Sequence, residues 1–188
     1  LTGSTALNDI TIPRNTLVVL CGPAGCGKST WAAKHFSPTQ VVSSDECRAL
    51  VFDDPANQSA SVHAFDLMYF IIKKRLTLGR LTVADATNLR RAHRYALIQI
   101  AKGLYFKTAA IAFNIPIETC LARNADRKRQ IPQGALMNQY ALLERTLRTI
   151  EKEGFDYLHL LGESAQSKTQ VKVGSAISRR FRRPSQKP

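Results

Sequence analysis

The sequence predicts an α/β fold, with a parallel sheet of four to five strands covered by helices on both faces. Short apolar, β-branched runs alternate with amphipathic segments from Thr16 to Leu161, which is the pattern of a parallel sheet joined by helical crossovers. The first of these runs empties into a glycine-rich turn, "CGPAGCGKST", that opens directly into a helical stretch. With 188 residues, 44% of them apolar and 22% charged, the chain is large enough for one such domain with a buried core.

The elements follow in order. "TLVVLC" (16–21) reads as a buried strand, and "KSTWAAKHF" (28–36) as a helix stopped near Ser37-Pro38. Trp31 and Phe36 are expected to pack this helix on the sheet. "QVVSS" (40–44) is a second strand. In "SVHAFDLMYFIIKKRLTLGR" the spacing places Phe65, Met68, Ile72 and Leu76 on one helical face, with Gly79 ending it. "LTVADATN" (81–88) is a third strand running into a loop. "RRAHRYALIQIAKGL" is amphipathic, with Arg90, Arg91 and Arg94 opposite Ala92, Ala96, Leu97 and Ile100. "KTAAIAFN" is a fourth strand. "PIETCLARNADRKRQ" reads as a helix broken by Pro132-Gln133-Gly134. A further helix carries Leu136, Tyr140, Leu143, Leu147 and Ile150 as an apolar stripe, and "YLHLL" is a fifth strand. No repeat is present. Residues 1–14 read as an N-terminal extension, 15–162 as the domain and 163–188 as a mobile basic tail.

Net charge is +13, which favours an anionic partner. The last stretch, from Glu163, holds seven Lys or Arg against one Glu. Cys21, Cys26, Cys47 and Cys120 show no CxxC or CxxH pairing, and Cys26 lies inside the glycine turn, so a reducing compartment, the cytoplasm, is expected. No apolar run approaches the roughly 18 residues of a membrane-spanning helix. The sequence opens on Leu1 and closes on "RRFRRPSQKP", which suggests a module of a longer protein. His35, His63, His93 and His159 sit alone, without the spacing of metal ligands.

Gly22-x-x-x-x-Gly27-Lys28-Ser29 is a full phosphate-binding loop, in which consecutive backbone N–H groups curl around the phosphates of a nucleoside triphosphate. Gly22, Pro23, Ala24, Gly25, Cys26, Gly27, Lys28, Ser29 and Thr30 are therefore the candidate ATP site. Lys28 bridges the terminal phosphates, and the Ser29 hydroxyl ligates the accompanying Mg²⁺. The loop alone does not separate a kinase from a motor or a GTPase. A transferase also needs a base for the acceptor hydroxyl. "SSDECR" supplies Asp45 at a strand's C-terminal end, where open α/β sheets build their sites. Arg48 stands three residues on, placed to orient Asp45 or to hold an anionic acceptor. Asp45 as a helix cap with Arg48 as a surface charge is the plainer alternative. "TVADATN" puts Asp85 on the same edge, where it could hold Mg²⁺ through water, with Asn88 as a possible helix cap. Arg123 and Arg127 are four apart, a like-charged pair that phosphate would stabilise, unless the face is simply solvated.

The order GxxxxGKST, SSDxCR, VxDATN, then RNxxR and a proline resembles the 5′-hydroxyl polynucleotide kinases, in particular the kinase module of the bacterial RNA-repair polynucleotide kinase–phosphatase, and also the phage enzyme. It extends over roughly Asn15 to Leu161, and "KHFSPTQVVSSDECR" and "KRLTLGRLTVADATN" are similar to the bacterial module between the motifs too. The resemblance implies a P-loop phosphotransferase with a helical lid, ATP and Mg²⁺ as cofactors, and 5′-OH RNA or DNA ends as acceptors. It implies Asp45 as general base, with metal contact through water at Asp45 and Asp85. Lys28, Arg48 and Arg127 complete the catalytic set, and Arg123 and Arg127 form the lid over ATP. "KRQIPQGAL" departs from the bacterial pattern at Arg129. Partner domains implied are a phosphatase and a ligase. A small-molecule kinase, or a nucleic-acid-binding module with a regulatory nucleotide site, remains the alternative.

Overall fold

The computed structural model describes residues 9–127 and 129–174. Residues 1–8 of the expected extension, Lys128, and residues 175–188 of the expected tail lie outside the described residues. In chain order the strands are β1 (Ile10–Pro13), β2 (Thr16–Cys21), β3 (Val41–Ser43), β4 (Thr82–Asp85), β5 (Lys107–Phe113), β6 (Tyr157–Leu161) and β7 (Val171–Gly174). The helices are α1 (Lys28–His35), α2 (Ser44–Phe52), α3 (Ser61–Thr77), α4 (Arg91–Gly103), α5 (Ile117–Ala125), α6 (Gln133–Thr149) and α7 (Glu163–Lys168).

Five strands form the main sheet in the order β3-β4-β2-β5-β6, every neighbouring pair parallel. β2 is central and wholly buried. Its alternation sends Leu17, Val19 and Cys21 against Met68, Ile72 and Leu76 of α3 and Leu97 and Ala101 of α4. Val18 and Leu20 face the other way, toward Trp31, Phe36, Phe113 and Leu136. Trp31 meets Phe36 and Phe113 edge-on, with ring centroids 5.9 and 5.7 Å apart. Two apolar layers of this kind, one on each face, are what a parallel sheet needs to exclude water from both sides. From β2 the chain first builds toward β3 and β4 and then crosses to β5 on the opposite side. The loop after β2 thus stands at the point where the winding reverses, the crevice where sheets of this class bind ligands.

The ends of the chain depart from the sequence reading. Residues 10–13 and 163–174, expected as an extension and the start of a mobile tail, are built into the fold. β1 and β7 pair in parallel from Ile10↔Val171 to Pro13↔Gly174, and Ile10 and Ile12 are buried in the Trp31 layer. Each strand is only four residues long, and their partnership spans the whole domain, so no local pattern announces it. Among the described residues no helix is long and apolar enough to cross a membrane.

Candidate active site

At the end of β2 the chain turns through Gly22–Gly27 into α1. Gly25 and Gly27 have φ of 77° and 90°, in the left-handed region that favours glycine. A Cβ at Gly25 would strike the backbone carbonyl of Cys120, and one at Gly27 the side-chain amide of Gln166. Gly27 caps α1, so the helix's first N–H groups and the positive end of its dipole open into the loop. Lys28 is 8% exposed and its Nζ donates to the carbonyls of Gly22 (2.9 Å) and Pro23 (2.8 Å). Ser29 and Thr30 are exposed on the first turn of α1. The loop is also held from outside. The Ala24 N–H donates to Gln139 Oε1 of α6 at 2.8 Å. Gln166 of α7 donates to the Cys26 carbonyl at 2.7 Å and accepts from Arg123 Nη1 at 3.2 Å. Neither glutamine is recognisable from sequence, because each lies more than 100 residues from its loop partner.

Asp85 ends β4, in register with Leu20 of β2 and Ser43 of β3. It is 4% exposed, and its Oδ1 has no hydrogen-bond partner. Burial pushes its carboxyl above the usual range, and Asp45 adds to this, while Lys28, the Ser29 hydroxyl and Arg127 pull it down. Asp85 therefore shares one electrostatic neighbourhood with Lys28, Ser29, Asp45 and Arg127. An unpaired buried acceptor is costly, and Asp85 and Ser29 are the residues that would hold a hydrated divalent cation here. Among the described residues no three His, Cys, Asp or Glu gather as a metal cage. One or two carboxylates supplemented by phosphate oxygens are the donor set that suits Mg²⁺, so these residues fit Mg²⁺ carried in with a nucleotide.

Asp45 is not the cap of its helix. Ser43 is, accepting from the N–H groups of Asp45 and Glu46 through its side chain. The Asp45 carboxylate is left 54% exposed, and Arg48 Nη1 donates to it at 2.6 Å. Arg48 is 4% exposed and also reaches the Pro55 carbonyl at 2.9 Å, so it is no surface charge. Asn88 is not a cap either. At φ 47° it is buried and donates to the carbonyls of Leu20 and Ala84, lacing β2 to β4 beneath the site.

The lid differs in two respects. α5 ends at Ala125, because the Asn124 side chain exchanges two hydrogen bonds with the Ile131 backbone and folds the chain back. Arg123 is thus on α5 and Arg127 in the turn beyond it, not on a shared helical face. Pro132 does not break a helix but precedes α6, where its missing N–H costs nothing. Arg123 faces Glu163 at 3.6 Å, and Arg129 reaches Asp45 Oδ2 at 3.6 Å, so the segment that departs from the bacterial pattern lies over the candidate base. Arg94, expected on the helix face opposite Ala92, Ala96, Leu97 and Ile100, is 1% exposed. It gives Nε and Nη2 to Glu153 (2.7 and 2.6 Å) and Nη1 to the Asn88 carbonyl (2.7 Å).

The family model described as the AAA domain matches residues 17–146, from β2 to the last turns of α6. The chain belongs to the AAA domain family. The match takes in the loop, Asp45, Asp85 and the lid arginines; α7, which carries Gln166, lies beyond it. No curated protein matches the chain by sequence. Among solved structures it is similar to a chain of the Pnkp1/Rnl/Hen1 RNA repair complex, at 20% identity and TM-score 0.62, over 79% of this chain and 49% of that one. It is also similar to the AvrRxo1-ORF1:-ORF2 crystal structure with ATP, at 17% identity and TM-score 0.60, over 81% and 55%. A third is Chaetomium thermophilum Kti12 in complex with ADP-AlF3, at 17% identity and TM-score 0.59, over 80% and 93%. The AAA domain chain spans about half the length of the first two, and at these identities the likeness is one of fold.

Proposed function

We propose that the chain is an ATP-dependent phosphotransferase, and more finely a polynucleotide 5′-hydroxyl kinase. The observation that carries the transferase reading is Asp45. It is exposed, relieved of capping by Ser43 and oriented by the buried Arg48, beside an Asp85 that shares its neighbourhood with Lys28 and Ser29. A nucleotide-binding module has no use for an exposed carboxylate aimed there by an arginine. The polynucleotide reading is supported by the net charge of +13 and by the order of the four motifs along the chain.

In this mechanism the loop N–H groups and α1 hold the phosphates of ATP. Lys28 exchanges the carbonyls of Gly22 and Pro23 for phosphate oxygens as it neutralises charge at the reacting group. Mg²⁺, when bound at Ser29 and through water to Asp85 and Asp45, would offset the remaining phosphate charge. Asp45 accepts the proton of the attacking hydroxyl, Arg48 keeps its carboxylate aimed, and Arg123 and Arg127 close over the nucleotide. We place the activity in nucleic-acid repair in the cytoplasm, alongside phosphatase and ligase partners; the likeness in fold to a chain of the Pnkp1/Rnl/Hen1 RNA repair complex supports the repair setting.

Lys28→Ala is expected to lower kcat by on the order of 10²–10³-fold, the usual loss for one charge-stabilising donor; turnover near wild type would remove the loop lysine from the chemistry. Arg127→Ala is expected to raise KM for ATP and lower kcat together, whereas a solvated arginine predicts unchanged kinetics. The reading as a whole is tested by offering radiolabelled ATP with 5′-OH oligonucleotides and a panel of small alcohols. Label on the oligonucleotide 5′ end supports the proposal; label only on a small alcohol would establish a small-molecule kinase.

A further inference from the structure

A cavity of about 320 Å³ lies between the first turn of α4 and the face of α6. Leu89 and Leu142 form its apolar floor, and Arg90, Arg91, Arg94 and Arg145 stand around it. Arg94 is neutralised by Glu153 and acts as a fixed wall. Arg90, Arg91 and Arg145 are exposed and make no ion pair among the described residues. Like charges drawn from two helices into one cavity repel one another, and an anion between them removes the cost.

The place of the cavity says which anion. α6 touches the phosphate loop through Gln139, and Arg145 is six residues further along the same helix, about 9 Å at the rise of an α-helix. Arg90 and Arg91 follow closely on Asp85 and Asn88 in the chain. On the other flank of the site, α2 and its exit carry exposed Glu46, Asp53 and Asp54, which repel a phosphodiester chain. A strand whose end reaches Asp45 is steered away from α2 and toward α4 and α6.

We propose that the Arg90/Arg91/Arg145 cavity is a subsite for a backbone phosphate of a single-stranded nucleic acid, a short step along the strand from its reacting end. The inference deepens the polynucleotide reading and rests on it for the role of the strand, while the site itself is open to a test by binding alone. Phosphate contacts of this kind fix the register of a strand without reading its sequence.

The test is fluorescence anisotropy of a short 5′-OH oligoribonucleotide with the full chain, at a series of salt concentrations, for wild type, Arg91→Glu, Arg145→Glu and Lys102→Glu. The last makes the same charge change at the far end of α4. Arg91→Glu and Arg145→Glu are each expected to weaken binding at low salt and to flatten the plot of log affinity against log salt by roughly 0.7 for each phosphate no longer neutralised. Lys102→Glu should change either quantity less. Inorganic phosphate at matched ionic strength should not displace the strand. Wild-type affinity and slope in both cavity variants, an equal loss with Lys102→Glu, displacement by inorganic phosphate, or no binding of the strand by wild type would each overturn the subsite. Binding that depends on Arg91 and Arg145 in a protein that phosphorylates no 5′ end would uphold the subsite and refute the kinase reading instead.

Discussion

Asp45→Asn is expected to bind ATP with near wild-type affinity and to lose on the order of 10²-fold or more in kcat, the usual scale for a general base. The substitution keeps the shape of the side chain and one oxygen to accept from Arg48, so α2 and its Ser43 cap have no reason to shift. What disappears, under the proposed mechanism, is the capacity to take a proton from the attacking hydroxyl. The proposed phosphate site is Gly22–Ser29, a different segment, so ATP affinity should be nearly indifferent to the change. Isothermal titration with ATP, paired with single-turnover phosphoryl transfer, separates the two. A matching fall in ATP affinity would make metal holding or structure, rather than proton transfer, the main role of Asp45.

Glu153→Ala is expected to destabilise the fold by about 3–5 kcal/mol, the range for removing one partner of a buried ion pair. Arg94 and Glu153 are 1% and 4% exposed, and the guanidinium meets the carboxylate through two nitrogens. Without Glu153 the almost wholly buried Arg94 guanidinium is left without its carboxylate. The damage should extend to the site, because the same guanidinium holds the Asn88 carbonyl, and Asn88 laces β2 to β4 behind Asp85. Urea unfolding of the variant and of the Arg94→Met/Glu153→Leu double variant measures this. The double variant should recover most of the loss. A single variant within about 0.5 kcal/mol of wild type, the scale of an ordinary surface change, would show that the pair is not desolvated.

The sheet was legible because each of its strands is a compact apolar run, and β2 in particular is buried along its whole length. The loop was legible because phosphate binding dictates glycine, lysine and serine at fixed spacing. Asp45 and Asp85 could be placed on one edge because Asp85 ends a strand and Asp45 comes two residues after the end of another. Arg94 could not be placed. Its helix face looks polar from sequence, and only the distant Glu153 makes burying the charge tolerable. Arg127 was assigned to a helix because nothing local revealed that Asn124 would spend its side chain on Ile131 and end α5 early. Gln139, Gln166 and the pairing of β1 with β7 share the same obscurity, since each depends on a partner far away in the chain.

We propose that this basic chain carries a phosphate loop because its acceptor is itself a polyanion. Steady-state kcat/KM for a 5′-OH oligonucleotide, a nucleoside 3′-phosphate and a nucleoside, each over a range of salt, tests it most directly. The oligonucleotide is expected to be the best acceptor, its kcat/KM to fall steeply as salt rises through loss of counterion release, and the nucleoside, which offers the basic groups no phosphate to hold, to be poor. Equal values for all three acceptors with no dependence on salt would contradict it.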